Sequence, residues 1–75
     1  MRGYSLYVAE AILKGDQTRL GVRLGRACIE RNIPVTKVAG ALGVTRQTIY
    51  FWFTGEYDPS EAHQPLVERY LASLD

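Results

Sequence analysis

The sequence is poor in the residues that staple or load small domains: one cysteine, one histidine and three prolines in 75 residues. A lone Cys28 cannot form an internal disulfide. With His63 it supplies too few ligands for a structural zinc site, and no other cofactor pattern is visible. A long hydrophobic run is also missing. The apolar stretch from Tyr4 to Leu13 is interrupted by Glu10, and no small-residue cleavage site follows it, so it reads as neither a signal peptide nor a membrane span. There is no repeat, low-complexity segment or linker rich in Pro, Gly and Ser. Large net charge of either sign is absent too, the balance being +1. What remains is one small domain in a reducing, cytoplasmic setting, since a chain this short buries only about 60–65% of its surface around a single core.

Hydrophobic residues make up 47% of the chain and charged residues 23%, ordinary usage for a water-soluble fold. The small net charge conceals a polarity. Residues 1–53 carry eight bases against three acids, and residues 54–75 carry five acids against one base. This distribution allows a basic face on a nearly neutral molecule, although helical charges are more often simply solvated.

Helix punctuation is dense. Ser5 can cap a first helix carrying Leu6, Val8, Ala9, Ile12 and Leu13, with Lys14 and Gly15 as its stop; a strand over Tyr4 to Val8 is the alternative. This arm, residues 1–15, either docks on the rest or joins a partner. The remaining residues, 16–75, read as the main domain. A second helix is expected from Asp16 to about Arg31, with Leu20, Leu24, Ala27 and Cys28 on one face. Gly21 and Gly25, four apart, suit close packing against another backbone, and Cys28 reads as a small buried hydrophobe. Asn32 can take the left-handed conformation that ends this helix, turning Ile33 back into the core. A short third helix begins between Pro34 and Thr36 and closes at Gly43. A fourth runs from Thr45 to about Thr54, with Thr45 as cap, Val44 and Ile49 at staple spacing, and Gly55 as stop. The last helix is announced by Pro59 and Ser60 and carries Leu66, Val67, Tyr70, Leu71 and Leu74. Pro65 either kinks its first turn or delays its regular start to about Gln64. The fold class is thus all-α, about five short helices.

The informative stretch is Val38-Ala39-Gly40-Ala41-Leu42-Gly43-Val44-Thr45-Arg46-Gln47-Thr48-Ile49-Tyr50-Phe51-Trp52. Ala39 is small where two helices would cross steeply, Gly43 suits a turn of positive φ, and Val38, Leu42, Val44, Ile49 and Trp52 can meet as one small core. Counting about 100° per residue with Ile49 inward, Trp52 and Phe53 fall near the core side. Gln47 and Phe51, at about 160° and 200°, mark an outward ridge flanked by Tyr50 and Thr54.

Over residues 20–62 this pattern resembles the helix-turn-helix proteins of the lambda repressor and Cro type, with the motif itself at about 35–54. The resemblance implies that the helix from Thr45 lies in the major groove of double-stranded DNA. Arg46 would then face guanine and Gln47 adenine, and Thr45 or Thr48 a base or phosphate. Thr36 and Lys37 match phosphate-binding positions, and Tyr50, Phe51 and Thr54 complete the DNA-binding set. Val35 and Glu56 depart from the family pattern, standing where a polar side chain and a base are common. Phe51 is bulky for its place: it can pack on thymine methyl groups, and an exposed aromatic also fits a protein contact. The implied function is a phage-type repressor acting as a homodimer, through the arm or the last helix, in the bacterial cytoplasm. The alternative is a small phage module that engages a host enzyme or polymerase through Tyr50, Phe51 and Tyr57. No nucleophile with its base, metal cluster or phosphate-cradling loop supports an enzyme.

Overall fold

The computed structural model describes residues 6–74, apart from the side chain of Val8. Tyr4, Ser5 and the Val8 side chain therefore lie outside the described residues, and with them the expected Ser5 cap. Five helices follow in order: α1 Leu6–Leu13, α2 Leu20–Glu30, α3 Val35–Leu42, α4 Arg46–Thr54 and α5 Gln64–Ser73. The described residues contain no strand, so the extended alternative fails from Leu6 onward.

Helix α1 packs against α2 and α4. Among its described apolar side chains only Ala9 and Ile12 are buried; Leu6, Tyr7 and Leu13 face outward. Helix α2 is central, touching α1, α4 and α5, and buries Leu24 and Cys28 completely. It starts later than expected from Asp16. The Asp16 carboxylate accepts hydrogen bonds from the Thr18 amide (2.9 Å) and hydroxyl (2.6 Å), which holds residues 16–19 in a turn. Both bonds favour the ionised carboxylate and lower its pKa. The α-helical ladder opens only with the Arg23 amide on the Arg19 carbonyl.

Three helices end by one device. Asn32 (φ 53°), Gly43 (φ 71°) and Gly55 (φ 81°) are all left-handed. After α2, the Ile33 amide donates to the Cys28 carbonyl; after α3, Val44 donates to Ala39; after α4, Glu56 donates to Phe51. Each is the six-to-one bond of a Schellman ending, which satisfies an orphan carbonyl and reverses the chain. The reversal after α2 brings Ile33, and that after α3 brings Val44, back against the core.

Helix α5 starts at Gln64, the later of the two expected starts, with Pro65 in the first turn where its missing N–H costs nothing. Ser60 precedes it in a turn, its carbonyl accepting from His63 and Gln64. Val67 is fully buried and Tyr70 and Leu71 half-buried, whereas Leu66, expected in the apolar stripe, is exposed. Arg31 reaches across to the Leu74 carbonyl at 3.2 Å and fastens the end of α2 to the end of α5. No helix among the described residues is long and apolar enough to cross a membrane.

Candidate nucleic-acid interface

Helix α4 is held from behind and open in front. Ile49 and Phe53 are fully buried and Trp52 nearly so. Burying each of the first two side chains contributes about 1.5–3 kcal/mol. The glycines of α2 let α4 approach closely: a Cβ on Gly21 would stand 2.6 Å from the Trp52 carbonyl oxygen, and one on Gly25 would stand 2.9 Å from Phe53 Cγ and Ile12 Cγ2. The close-packing expectation for these glycines is met: Gly21 lies against the backbone of α4 at Trp52, and Gly25 against the side chains of Phe53 and Ile12. Val38, Ala39, Leu42, Ile49 and Trp52 share the core cluster, with Val44 packed on it.

At the amino-terminal end, the Thr45 hydroxyl accepts from the Thr48 amide at 3.2 Å and lies 3.0 Å from the Thr48 hydroxyl. Both threonines are thus first of all capping residues, with Thr45 exposed and Thr48 half-buried. Arg46 and Gln47 follow at once and are exposed; among the described residues neither side chain has a hydrogen bond or ion pair with the protein. One turn on, Tyr50 is exposed. Thr54 is exposed as well, but its hydroxyl donates to the Tyr50 carbonyl at 2.9 Å, so its proton is used within the helix.

Phe51 shares the side of α4 that Gln47 occupies, as the helical angles gave it, but is less exposed than an outward ridge residue was expected to be. It is half-buried because the ring of Tyr57 meets it edge to face, centroids 5.0 Å apart and planes at 84°. The reversal at Gly55 brings Tyr57 there, and the Tyr57 amide donates to the Phe51 carbonyl at 3.3 Å. Sequence reasoning grouped Tyr57 with Tyr50 and Phe51 as aromatics for a partner protein and missed that its ring packs on Phe51; the Thr54-Gly55-Glu56-Tyr57 run was the signal that could have shown it.

Thr36 and Lys37 are both exposed in the first turn of α3. Pro34 precedes the helix in extended conformation and offers no side-chain cap; its carbonyl accepts from the Lys37 and Val38 amides, which leaves the Val35 and Thr36 amides open to an anion. Val35 is buried at 4% exposure, which explains the departure from a polar residue there: its side chain belongs to the core.

The base-rich part of the sequence does not become a uniformly basic face. Arg19 pairs with Asp58 at 2.9 Å, Arg26 with Glu30 at 3.3 Å, and Arg31 with the Leu74 carbonyl. The Asp58 partner holds the Arg19 guanidinium even more firmly protonated. Lys37 and Arg46, by contrast, have no such protein partner among the described residues. Free cations therefore stand at the starts of α3 and α4.

His63 is half-buried as the residue before α5. Its ring lies 5.5 Å from that of Trp52, and its Nδ1 is 2.9 Å from the Ser60 hydroxyl, a supporting contact behind α4. Burial pushes the Cys28 thiol up to about 12, so it stays neutral within the core.

A family model described as helix-turn-helix matches residues 24–63. The matched span runs from within α2 through α3 and α4 to the residue before α5, and so contains every exposed side chain just described. Searches of curated proteins and of solved structures gave no significant match.

Proposed function

The chain belongs to the helix-turn-helix family, and from that membership we propose that it is a sequence-specific regulator that binds double-stranded DNA through α4. The observation that carries this reading is the pair Arg46 and Gln47, exposed and unengaged at the start of a helix whose opposite side is locked into the core. Arg46 suits a bidentate contact to guanine O6 and N7, and Gln47 one to adenine N6 and N7. Because neither has a protein bond to give up, binding costs mainly side-chain entropy and desolvation. Lys37, Thr36 and the open amides of α3 serve the phosphates and set the register, while Thr45 and Thr48 keep the first turn of α4 in shape.

One module of this size buries only about 600–1,000 Å² on DNA, so the regulator acts as a homodimer on a two-fold operator with half-sites about 34 Å apart. Leu6, Tyr7 and Leu13, exposed on α1, support that helix as the dimer surface, since Tyr70 and Leu71 of α5 already pack on their own core. An operator overlapping a promoter makes the protein a repressor of the phage type.

Selection of bound duplexes from a random pool tests this reading. A symmetric enriched motif is expected, with retention on heparin that falls steeply with salt. The rival is a host-protein-binding module, favoured by exposed Tyr57 and by Glu56 beside α4. It requires no enriched motif and salt-insensitive behaviour on heparin.

A further inference from the structure

We infer that the groove between the end of α3 and α5 binds a small amphiphilic carboxylate, its alkyl chain on Leu42, Leu66 and Tyr70 and its head group on Arg69. The DNA-binding reading makes no use of this face, and the site stands without it.

Leu66 is the apolar side chain that the packing of α5 leaves out. The helix rests on α2 and buries Val67, yet Leu66 keeps 41% of its surface exposed. Leu66, Arg69, Tyr70 and Ser73 recur at the three- and four-residue spacing of one helix face. With Ala41 and Leu42 in the last turn of α3 they line a groove of about 330 Å³. Sites for small molecules span about 300–1,000 Å³, so the groove is large enough for a short alkyl chain. A stable protein partner would need roughly 20–30 residues a side, far more than line this groove. The occupant is therefore small and mostly apolar.

Charge at the rim selects the head group. Arg69 is exposed and has no hydrogen bond or ion pair among the described residues. Its neighbours three and four places away on the chain are Pro65, Leu66, Ala72 and Ser73, so no carboxylate is placed to pair with it within α5. The Ser73 hydroxyl donates to the Tyr70 carbonyl at 2.6 Å and is already engaged. Other grooves differ. The one between the starts of α2 and α5 is lined by Arg19, Arg23, Asp58 and Glu68, which offset one another, and the one between α1 and the end of α4 has Glu56 as its charge. An apolar trough bordered by an unopposed guanidinium fits an anion with a hydrocarbon tail, and the planar fork of N–H donors matches a carboxylate. The site also touches the motif: Leu42 belongs to the core cluster and precedes the Gly43 turn into α4, so a ligand on Leu42 lies against the joint between α3 and α4.

Octanoate is the probe, titrated into the isotope-labelled full chain and followed by amide shifts in two-dimensional NMR spectra, with octanol and octylammonium as controls carrying the same tail. Saturable shifts are expected at Leu42, Leu66 and Tyr70. An ion pair this exposed is screened by water, so octanoate should bind only roughly three- to fivefold more tightly than octanol, and octylammonium more weakly than either. Arg69→Gln should make octanoate and octanol equal, and Arg69→Glu should place octylammonium ahead of octanoate. Neither variant should move the affinity for octanol or the melting temperature, because the guanidinium holds nothing in the fold. The absence of saturable shifts in the groove overturns the inference, as does an unchanged preference for octanoate in Arg69→Gln. Shifts at the same amides that follow protein concentration without any ligand would give the groove to a second copy of the chain and overturn it as well.

Discussion

Adding one methyl group at either of two glycines should move stability in opposite directions. Gly21 and Gly40 both lie inside helices, where alanine is intrinsically better than glycine by about 0.8–1 kcal/mol. At Gly40 a new Cβ meets nothing within 4 Å, so Gly40→Ala should raise stability by about 0.5–1 kcal/mol. At Gly21 the same carbon would stand 2.6 Å from the Trp52 carbonyl oxygen, 2.9 Å from its Cβ and 3.0 Å from its carbonyl carbon. Two of those three atoms are backbone, so no side-chain rotation relieves them and α2 must separate from α4 by several tenths of an ångström. Overpacking of this kind costs about 1–3 kcal/mol, toward the upper end for backbone, so Gly21→Ala should lose about 1–2 kcal/mol net. The two variants then differ by about 1.5–3 kcal/mol, or roughly 6–24 °C in Tm for a domain of this size. Thermal and urea melts followed by fluorescence suit the measurement, because Trp52 is the sole tryptophan and is 4% exposed. A Gly21→Ala protein at least as stable as wild type would refute the close approach of α2 to α4, and with it the reason α4 is held rigidly.

Thr45→Ala removes the cap of α4 and should cost about 1 kcal/mol in a urea melt; an unchanged midpoint would mean that the 3.2 Å bond to the Thr48 amide contributes nothing. Lys37→Ala should weaken binding to all duplexes and lower the slope of log affinity against log salt by about one, whereas a wild-type slope would remove Lys37 from the phosphate contacts. Cys28 should resist thiol reagents in the native protein at pH 8 and label fast in denaturant; labelling at a free-thiol rate under native conditions would contradict its burial. The sign for stability follows from the raised pKa: neutral Cys28 favours the fold fully below its ordinary value of 9.0, and that contribution is lost as pH climbs toward about 12.

The features that could be read from the sequence are those fixed by local rules. Asn32, Gly43 and Gly55 announced helix ends because few residues other than Gly and Asn tolerate a left-handed backbone, and Thr45 announced a cap because its hydroxyl reaches the amide three residues on. The helix-turn-helix fold followed from those marks together with the spacing of Val38, Leu42, Ile49 and Trp52. The start of α2 was misread for a local reason as well: Asp16 suits a cap and a turn equally, and Thr18 at the second position decides for the turn. What could not be read was long-range. The Arg19–Asp58 and Arg31–Leu74 contacts join residues 39 and 43 apart, and nothing in either neighbourhood points to the other. They engage Arg19 and Arg31, while Lys14, Arg23, Lys37 and Arg46 have no side-chain hydrogen bond or ion pair among the described residues. The partial cover over Phe51 escaped for a similar reason, since helical angles know nothing of a ring that returns from beyond the helix end.

Specificity offers the most direct test of α4 as the reading element. The affinity of Arg46→Ala for the selected duplex should be divided by its affinity for a scrambled duplex and compared with the same ratio for wild type. The expected ratio is roughly 5- to 150-fold lower than wild type, the equivalent of about 1–3 kcal/mol for a lost bidentate base contact, with an unchanged urea midpoint. A ratio equal to that of wild type, in a protein that still folds and still binds DNA, would contradict the assignment of α4 to the major groove.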